Sequence, residues 1–159
     1  MHRDIKLDNI LVSTKKTSDA HRNLANSDKY SLPIDQYEFK LGDLGLAKNL
    51  TRETQLHGTM CGTPLNMAPE VLNGNPYDQK ADVWSLGTVL FQILTGEYPF
   101  VGRDFDELKK NLHSGVYKVP KHVHISPACL DFLNCCLRFD SERRKNWSEL
   151  LDHPFLLGI

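Results

Sequence analysis

Within its first nine residues the chain places Asp4, Lys6 and Asn9 close together, in the run His2-Arg3-Asp4-Ile5-Lys6-Leu7-Asp8-Asn9, and Asp43-Leu44-Gly45 follows further on. A carboxylate two residues from an ammonium can orient a hydroxyl proton while the cation balances charge on a second group. Asn9 and Asp43 add oxygen donors of the hard kind that suits Mg²⁺. Taken singly, each Asp or Asn in a loop reads as a turn former, because its side chain satisfies nearby backbone groups. Only the joint pattern argues for chemistry.

Those residues need elements to hold them. The chain has 159 residues, 40% hydrophobic and 25% charged, enough for one domain-sized core. A net charge of -1 supplies no bulk field toward nucleic acid or an acidic membrane face, so an anionic ligand must be held locally. No apolar run approaches the roughly 20 residues of a membrane helix, and the charged Met1-His2-Arg3-Asp4 start is unlike a signal peptide. Four cysteines, Cys61, Cys129, Cys135 and Cys136, form no CxxC pair and read as thiols in a reducing compartment. The expectation is a cytoplasmic protein without direct membrane insertion or nucleic-acid binding.

Ile10–Val12 and Tyr37–Leu41 are rich in β-formers and predict two strands flanking a polar, aperiodic insert over 13–36. From Asp78 to Leu94 the apolar positions recur every three or four residues, with Gly96 placed to stop a helix. Val89 and Phe91 add a second apolar face, which predicts a central buried helix. Three further helices follow: Phe105, Leu108 and Leu112 ending near Gly115; Ser126 and Pro127 opening a face of Leu130, Leu133 and Leu137; and Asn146 with Glu149 in capping-box spacing before Trp147, Leu150 and Leu151. His122 and His124 alternate as ligands on a strand do, but without a supporting cluster they read as a solvated loop.

The opening run fits HRDxKxxN, whose five specified residues arise at a given start by chance about once in three million. Asp43-Leu44-Gly45 comes next, then Gly62-Thr63-Pro64 and Ala68-Pro69-Glu70. In this order and spacing the chain resembles the C-terminal lobe of a eukaryotic protein serine/threonine kinase over nearly its whole length. The resemblance implies an α+β, mainly α-helical fold, with a short β-hairpin carrying the catalytic and metal-binding loops and the N-terminal lobe absent. It divides the chain into a catalytic loop at 2–9, the insert at 13–36, an activation segment at 43–70 and a helical subdomain at 78–155.

It also implies roles: Asp4 as catalytic residue, Lys6 beside the γ-phosphate of ATP, Asn9 and Asp43 on Mg²⁺, and Leu11 as the adenine floor. His2 would be structural, packing near the Leu44 position, Asp82 would pin the catalytic-loop backbone, Glu70 and Arg144 would form a buried ion pair, and Thr63 would help position the substrate. Arg3 beside Asp4 implies regulation by a phosphorylated activation segment, with Thr59 the candidate and Thr51 and Thr54 behind it. Lys6 and Gly62-Thr63-Pro64 carry the serine/threonine reading. The stretches Thr59–Val71 and Tyr77–Ser85 look most like the autophagy-initiating (ULK-type) kinases. The partners implied are protein substrates with Ser/Thr acceptors, and regulatory proteins.

Three departures stand out. Leu44 replaces the Phe of DFG, one bulky apolar group for another, which predicts a retained packing role. Asn66 stands where a Tyr or Trp is common. No GxGxxG loop, strand lysine or pairing helix glutamate occurs, so the chain alone is expected to be a fragment without useful kinase activity. The uncovered face of its central helix predicts a poorly soluble or partly molten chain. A rival reading is a non-catalytic kinase-like module that binds substrates or regulators.

Overall fold

In the computed structural model the described residues are 1–15, 33–46 and 64–158. Two strands, β1 (Ile10–Thr14) and β2 (Tyr37–Leu41), pair antiparallel, with Ile10 opposite Leu41 and Thr14 opposite Tyr37. The ladder takes in Ser13 and Thr14, and Ile34–Gln36 form a 3-10 turn, so both ends of the stretch predicted to be irregular over 13–36 carry regular structure. β-branched Val12 and Thr14 pair well enough to extend the strand past the point where polarity rises.

The helices follow in chain order: α1 (Pro69–Leu72), α2 (Lys80–Thr95), α3 (Phe105–Ser114), α4 (Pro127–Cys136), α5 (Trp147–Leu151) and α6 (Pro154–Leu157). α2 is the central buried helix. One cluster on it holds Trp84, Phe91, Phe100, Leu108, Leu112, Leu133 and Leu137. A second holds Val83, Phe132, Cys136 and Leu150. Burial of each large side chain contributes about 1.5–3 kcal/mol. Trp84 stacks on Phe100 at 5.4 Å between ring centres, and Tyr117 meets both Phe91 and Phe100 edge-on. Gly96 ends α2 at φ 75°, a left-handed cap that glycine adopts without strain.

Caps read from the sequence are present. Ser126 accepts from the Cys129 N–H, and Asn146 and Glu149 form a complete capping box. The inward face of α4 differs from the predicted stripe: Cys129, Phe132, Leu133 and Cys136 are buried, while Leu130 is 39% exposed. The reason is that α4 serves both clusters, Leu133 in one and Phe132 with Cys136 in the other, which turns Leu130 outward. Leu151 is likewise exposed, leaving Leu150 as the buried residue of α5. Among the described residues no helix is long and apolar enough to cross a membrane.

Candidate active site

The site begins where the hairpin ends. Asn9 immediately precedes β1 and Gly42 immediately follows β2, and the Gly42 N–H donates to the Asn9 carbonyl at 2.8 Å. The ladder thus closes a long sequence gap and delivers Asp43 beside the Asp4–Asn9 loop. Asp43 turns the chain at φ 55°, a left-handed conformation Asp tolerates, and its Oδ1 accepts from the Gly45 N–H at 3.2 Å.

The loop itself is fastened from below. Asp82, 4% exposed in the first turn of α2, accepts from the His2 N–H at 2.6 Å and from the Arg3 N–H at 2.8 Å. A carboxylate at a helix N-terminus is favoured by the helix dipole, and here it holds Arg3 at φ 72°, which costs a non-glycine residue about 1–2 kcal/mol. His2 fastens the other side. Its Nδ1 takes the Asp4 N–H at 3.4 Å while its Nε2 donates to the Gly42 carbonyl at 3.0 Å, so one buried ring ties the loop to the segment bearing Asp43. His2 therefore has a structural place, through its bond to the Gly42 carbonyl. Leu44 is 67% exposed among the described residues.

Asp4 is 8% exposed. Burial alone would push its carboxyl up, but hydrogen bonds from Lys6 and Asn9, with the nearby positive charge, outweigh that and hold it below the usual carboxylate range. Lys6 Nζ lies 2.8 Å from Asp4 Oδ2, and that bond is the first cause raising the ammonium above its ordinary value. The carboxylates of Asp8 and Asp43 act on Lys6 in the same direction. Asn9 Nδ2 donates to the Asp4 carbonyl at 2.7 Å and to Asp4 Oδ2 at 3.0 Å. That leaves the Asn9 amide oxygen as its donor for a cation. Asn9 Oδ1 and the Asp43 carboxylate are a hard-oxygen set that suits Mg²⁺, in a place where Asp43 already acts on the Lys6 charge. Leu11 is 58% exposed on β1, with its Cδ1 3.1 Å from where a Gly42 Cβ would stand.

Further from the loop, Arg144 reaches Glu70 by a fork, Nη1 to Oε1 at 2.6 Å and Nη2 to Oε2 at 3.0 Å. This joins α1 to the segment before α5, as the resemblance implies. The sequence reading did not single out the next fastening. Asn66 is buried, its Nδ2 donates to Thr88 Oγ1 at 2.8 Å, and its carbonyl accepts from Ser85 Oγ at 2.8 Å. Two hydroxyls inside the apolar helix α2 thus dock the 64–70 segment, and Ser or Thr within a helical repeat is a faint signal for that. Thr59, Thr51, Thr54, Thr63 and Cys61 lie outside the described residues.

Asp131, Cys135 and His153 bring three ligand-type atoms within 4.8 Å of one another. The His153 ring is already engaged at both nitrogens. Nδ1 caps α6 by accepting from the Phe155 N–H, and Nε2 meets Asp131 Oδ2 at 3.2 Å.

Residues 1–156 match the family described as protein kinase domain. The chain is 36% identical over 159 residues to the serine/threonine-protein kinase ATG1a of Arabidopsis thaliana, covering 98% of this chain and 22% of that protein. It is 37% identical over 155 residues to the serine/threonine-protein kinase ATG1 of Saccharomyces cerevisiae, covering 94% of this chain and 17% of that protein. A similar likeness, 36% over 161 residues, holds for ATG1 of Eremothecium gossypii. Across such curated relatives the chain spans between 16% and 34% of their length.

Proposed function

The chain belongs to the protein kinase family, and from that premise we propose that it carries the catalytic and metal-binding loops of a serine/threonine kinase, which transfers the γ-phosphate of ATP to Ser or Thr hydroxyls of proteins. The observation that carries the reading is the Asp4–Lys6–Asn9 constellation, fastened by Asp82 and His2 with Asp43 delivered beside it.

Asp4 stays ionised at neutral pH. A carboxylate held this low is a weak base, so its work is to accept the hydrogen bond of the incoming hydroxyl and aim the oxygen, taking the proton late in the transfer. Lys6 keeps its charge and stabilises negative charge accumulating on the phosphoryl oxygens. Asn9 and Asp43 would hold Mg²⁺, which when bound shields the phosphates. Leu11 would lie under the adenine, Thr63 beside the acceptor, and Arg3 would pair with phosphorylated Thr59. The ATG1 relatives extend the reading to the autophagy-initiating type of kinase. Its three described cysteines are free thiols, which suits the cytoplasm.

The 159 residues hold no Gly-rich phosphate loop, so this stretch by itself is inactive in the proposal, and a longer chain carrying one is active. The test is Mg²⁺-ATP phosphorylation of a generic Ser/Thr substrate by this chain and by an upstream-extended one, each with an Asp4→Asn control. Activity confined to the extended chain and abolished by the control supports the reading. Inactivity of both when well folded overturns it in favour of a binding module.

A further inference from the structure

A second concave site lies away from the Asp4 loop, between α1 and α3. It encloses about 300 Å³, at the lower end of the ligand-pocket range, with room for one large apolar side chain and the main chain on either side. Its floor is apolar: Leu72 at the end of α1, Leu112 on α3, and Phe139 beyond α4. Its rim is cationic. Lys109 and Lys110 border it together with His113, and no acidic residue is among those lining it.

The placement follows from helix geometry. Lys109, Leu112 and His113 stand at i, i+3 and i+4 and so share one face of α3. The His113 ring meets Phe139 edge-on at 4.8 Å between centres, closing the lower wall. Lys109 Nζ lies 4.7 Å over the Phe105 ring, which steadies its stem. Neither Lys109 nor Lys110 forms an ion pair among the described residues, although six other Lys or Arg side chains there do. Lys110 acts on the Glu107 carboxylate from a distance, but neither ammonium is held in an ion pair and no acid lines the hollow, a local charge imbalance that an incoming group can neutralise. As a sequence run, Lys109-Lys110 reads as a solvated face; the hollow beside it changes that reading.

We propose that the α1–α3 hollow docks an acidic segment of a partner protein, a bulky apolar side chain seated on Leu72, Leu112 and Phe139 with flanking carboxylates on Lys109 and Lys110. The apolar floor supplies affinity, and the lysines supply polarity of choice and a fast, salt-sensitive encounter. The site stands on its own geometry and does not depend on phosphoryl transfer, so direct binding tests it independently of the proposed activity.

The probe is a fluorescein-labelled peptide, Glu-Glu-Leu-Phe-Glu-Glu, titrated with the full chain at low ionic strength and followed by fluorescence anisotropy. The fold of each sample is checked by circular dichroism. Controls are Lys-Lys-Leu-Phe-Lys-Lys and Glu-Glu-Ala-Ala-Glu-Glu. The acidic apolar peptide is expected to bind about tenfold tighter than the basic control, the scale of two exposed ion pairs together, and about tenfold or more tighter than the alanine control, which lacks the side chains that would cover the apolar floor. K109E with K110E is expected to reverse the preference in favour of the basic apolar peptide. On the unsubstituted chain, a photoreactive benzoylphenylalanine in place of the peptide's Phe is expected to cross-link to α3 or Phe139.

Equal binding of all three peptides overturns the proposal, as does no binding to folded chain. Cross-linking elsewhere does the same. Dodecanoate binding to the unsubstituted chain in the absence of peptide binding overturns it by assigning the hollow to a small anionic amphiphile.

Discussion

Replacing Arg144 with Met should be among the most damaging single changes available to this fold. The guanidinium is 1% exposed by residue and makes the fork to Glu70. It also donates to the Lys80 carbonyl at 2.9 Å and to the Arg138 carbonyl from Nε at 3.1 Å and Nη2 at 3.0 Å. Its plane lies 5.1 Å from the Trp84 ring. Met fills similar volume but leaves the Glu70 carboxylate, 8% exposed, without a counter-charge, a loss of about 3–5 kcal/mol. Against a typical domain stability of about 5–15 kcal/mol, that is a third or more of the whole. Glu70→Met added to Arg144→Met removes the stranded charge, and what persists is two carbonyls short of donors, about 1–3 kcal/mol. The double variant should therefore be more stable than Arg144→Met alone. Urea unfolding followed by circular dichroism and by tryptophan emission measures all three differences. A cost for Arg144→Met under about 1 kcal/mol would refute the reasoning, since the stranded-charge penalty predicts several times that. So would a double variant whose cost equals the sum of the singles, because strict additivity means the two groups do not interact.

Four further outcomes are expected. Asp82→Asn replaces an acceptor of two backbone N–H groups with an amide that has one acceptor oxygen, and should lower phosphoryl transfer in the extended chain at least tenfold with little change in ATP affinity; unchanged turnover would remove Asp82 from the positioning role. Gly87→Ala would put a Cβ 2.7 Å from Cys136 Cβ where α2 crosses α4, and should cost about 1–3 kcal/mol by denaturant titration. Because the Asp4 carboxyl is held below its ordinary value, its contribution to stability is present above about pH 4 and is lost as pH falls through the folded-state value. Asp4→Asn should accordingly flatten that acid limb in a pH titration of stability and, by removing the partner that raises the Lys6 ammonium, also weaken the loss of stability at alkaline pH. Burial pushes the Cys136 thiol up to about 12, and raises Cys129 and Cys135 as well. Native alkylation of Cys136 near neutral pH should then be far slower than in denaturant, and equal rates by peptide mapping would contradict its burial.

Much of the helical architecture was legible because it repeats a local rule. The α2 periodicity, the Gly96 stop, the Ser126 cap and the Asn146–Glu149 box each depend on residues within a turn or two of one another. The strand positions were legible for the same reason, although β1 ran on to Thr14 once β2 supplied partners for polar residues. Face assignments were weaker. A three-to-four spacing identifies a helix, but which residues turn inward depends on how many neighbours pack on it, and α4 serves two clusters where the stripe through Leu130 allowed for one.

The sequence alone determined the types and order of the chemical groups, from Asp4, Lys6 and Asn9 through Asp43 to Glu70 and Arg144, because each type is a property of its own residue. The tertiary structure decided their state. The hairpin brought Gly42 to Asn9, buried Asp82 took up the loop N–H groups, and the bonds to Asp4 overcame its burial and kept it ionised. It also decided that Asn66 docks on Thr88, that Leu44 stands exposed, and that Lys109 and Lys110 border a hollow. Solvation and electrostatics depend on what lies within a few ångströms in space, and those neighbours are set only when distant segments meet.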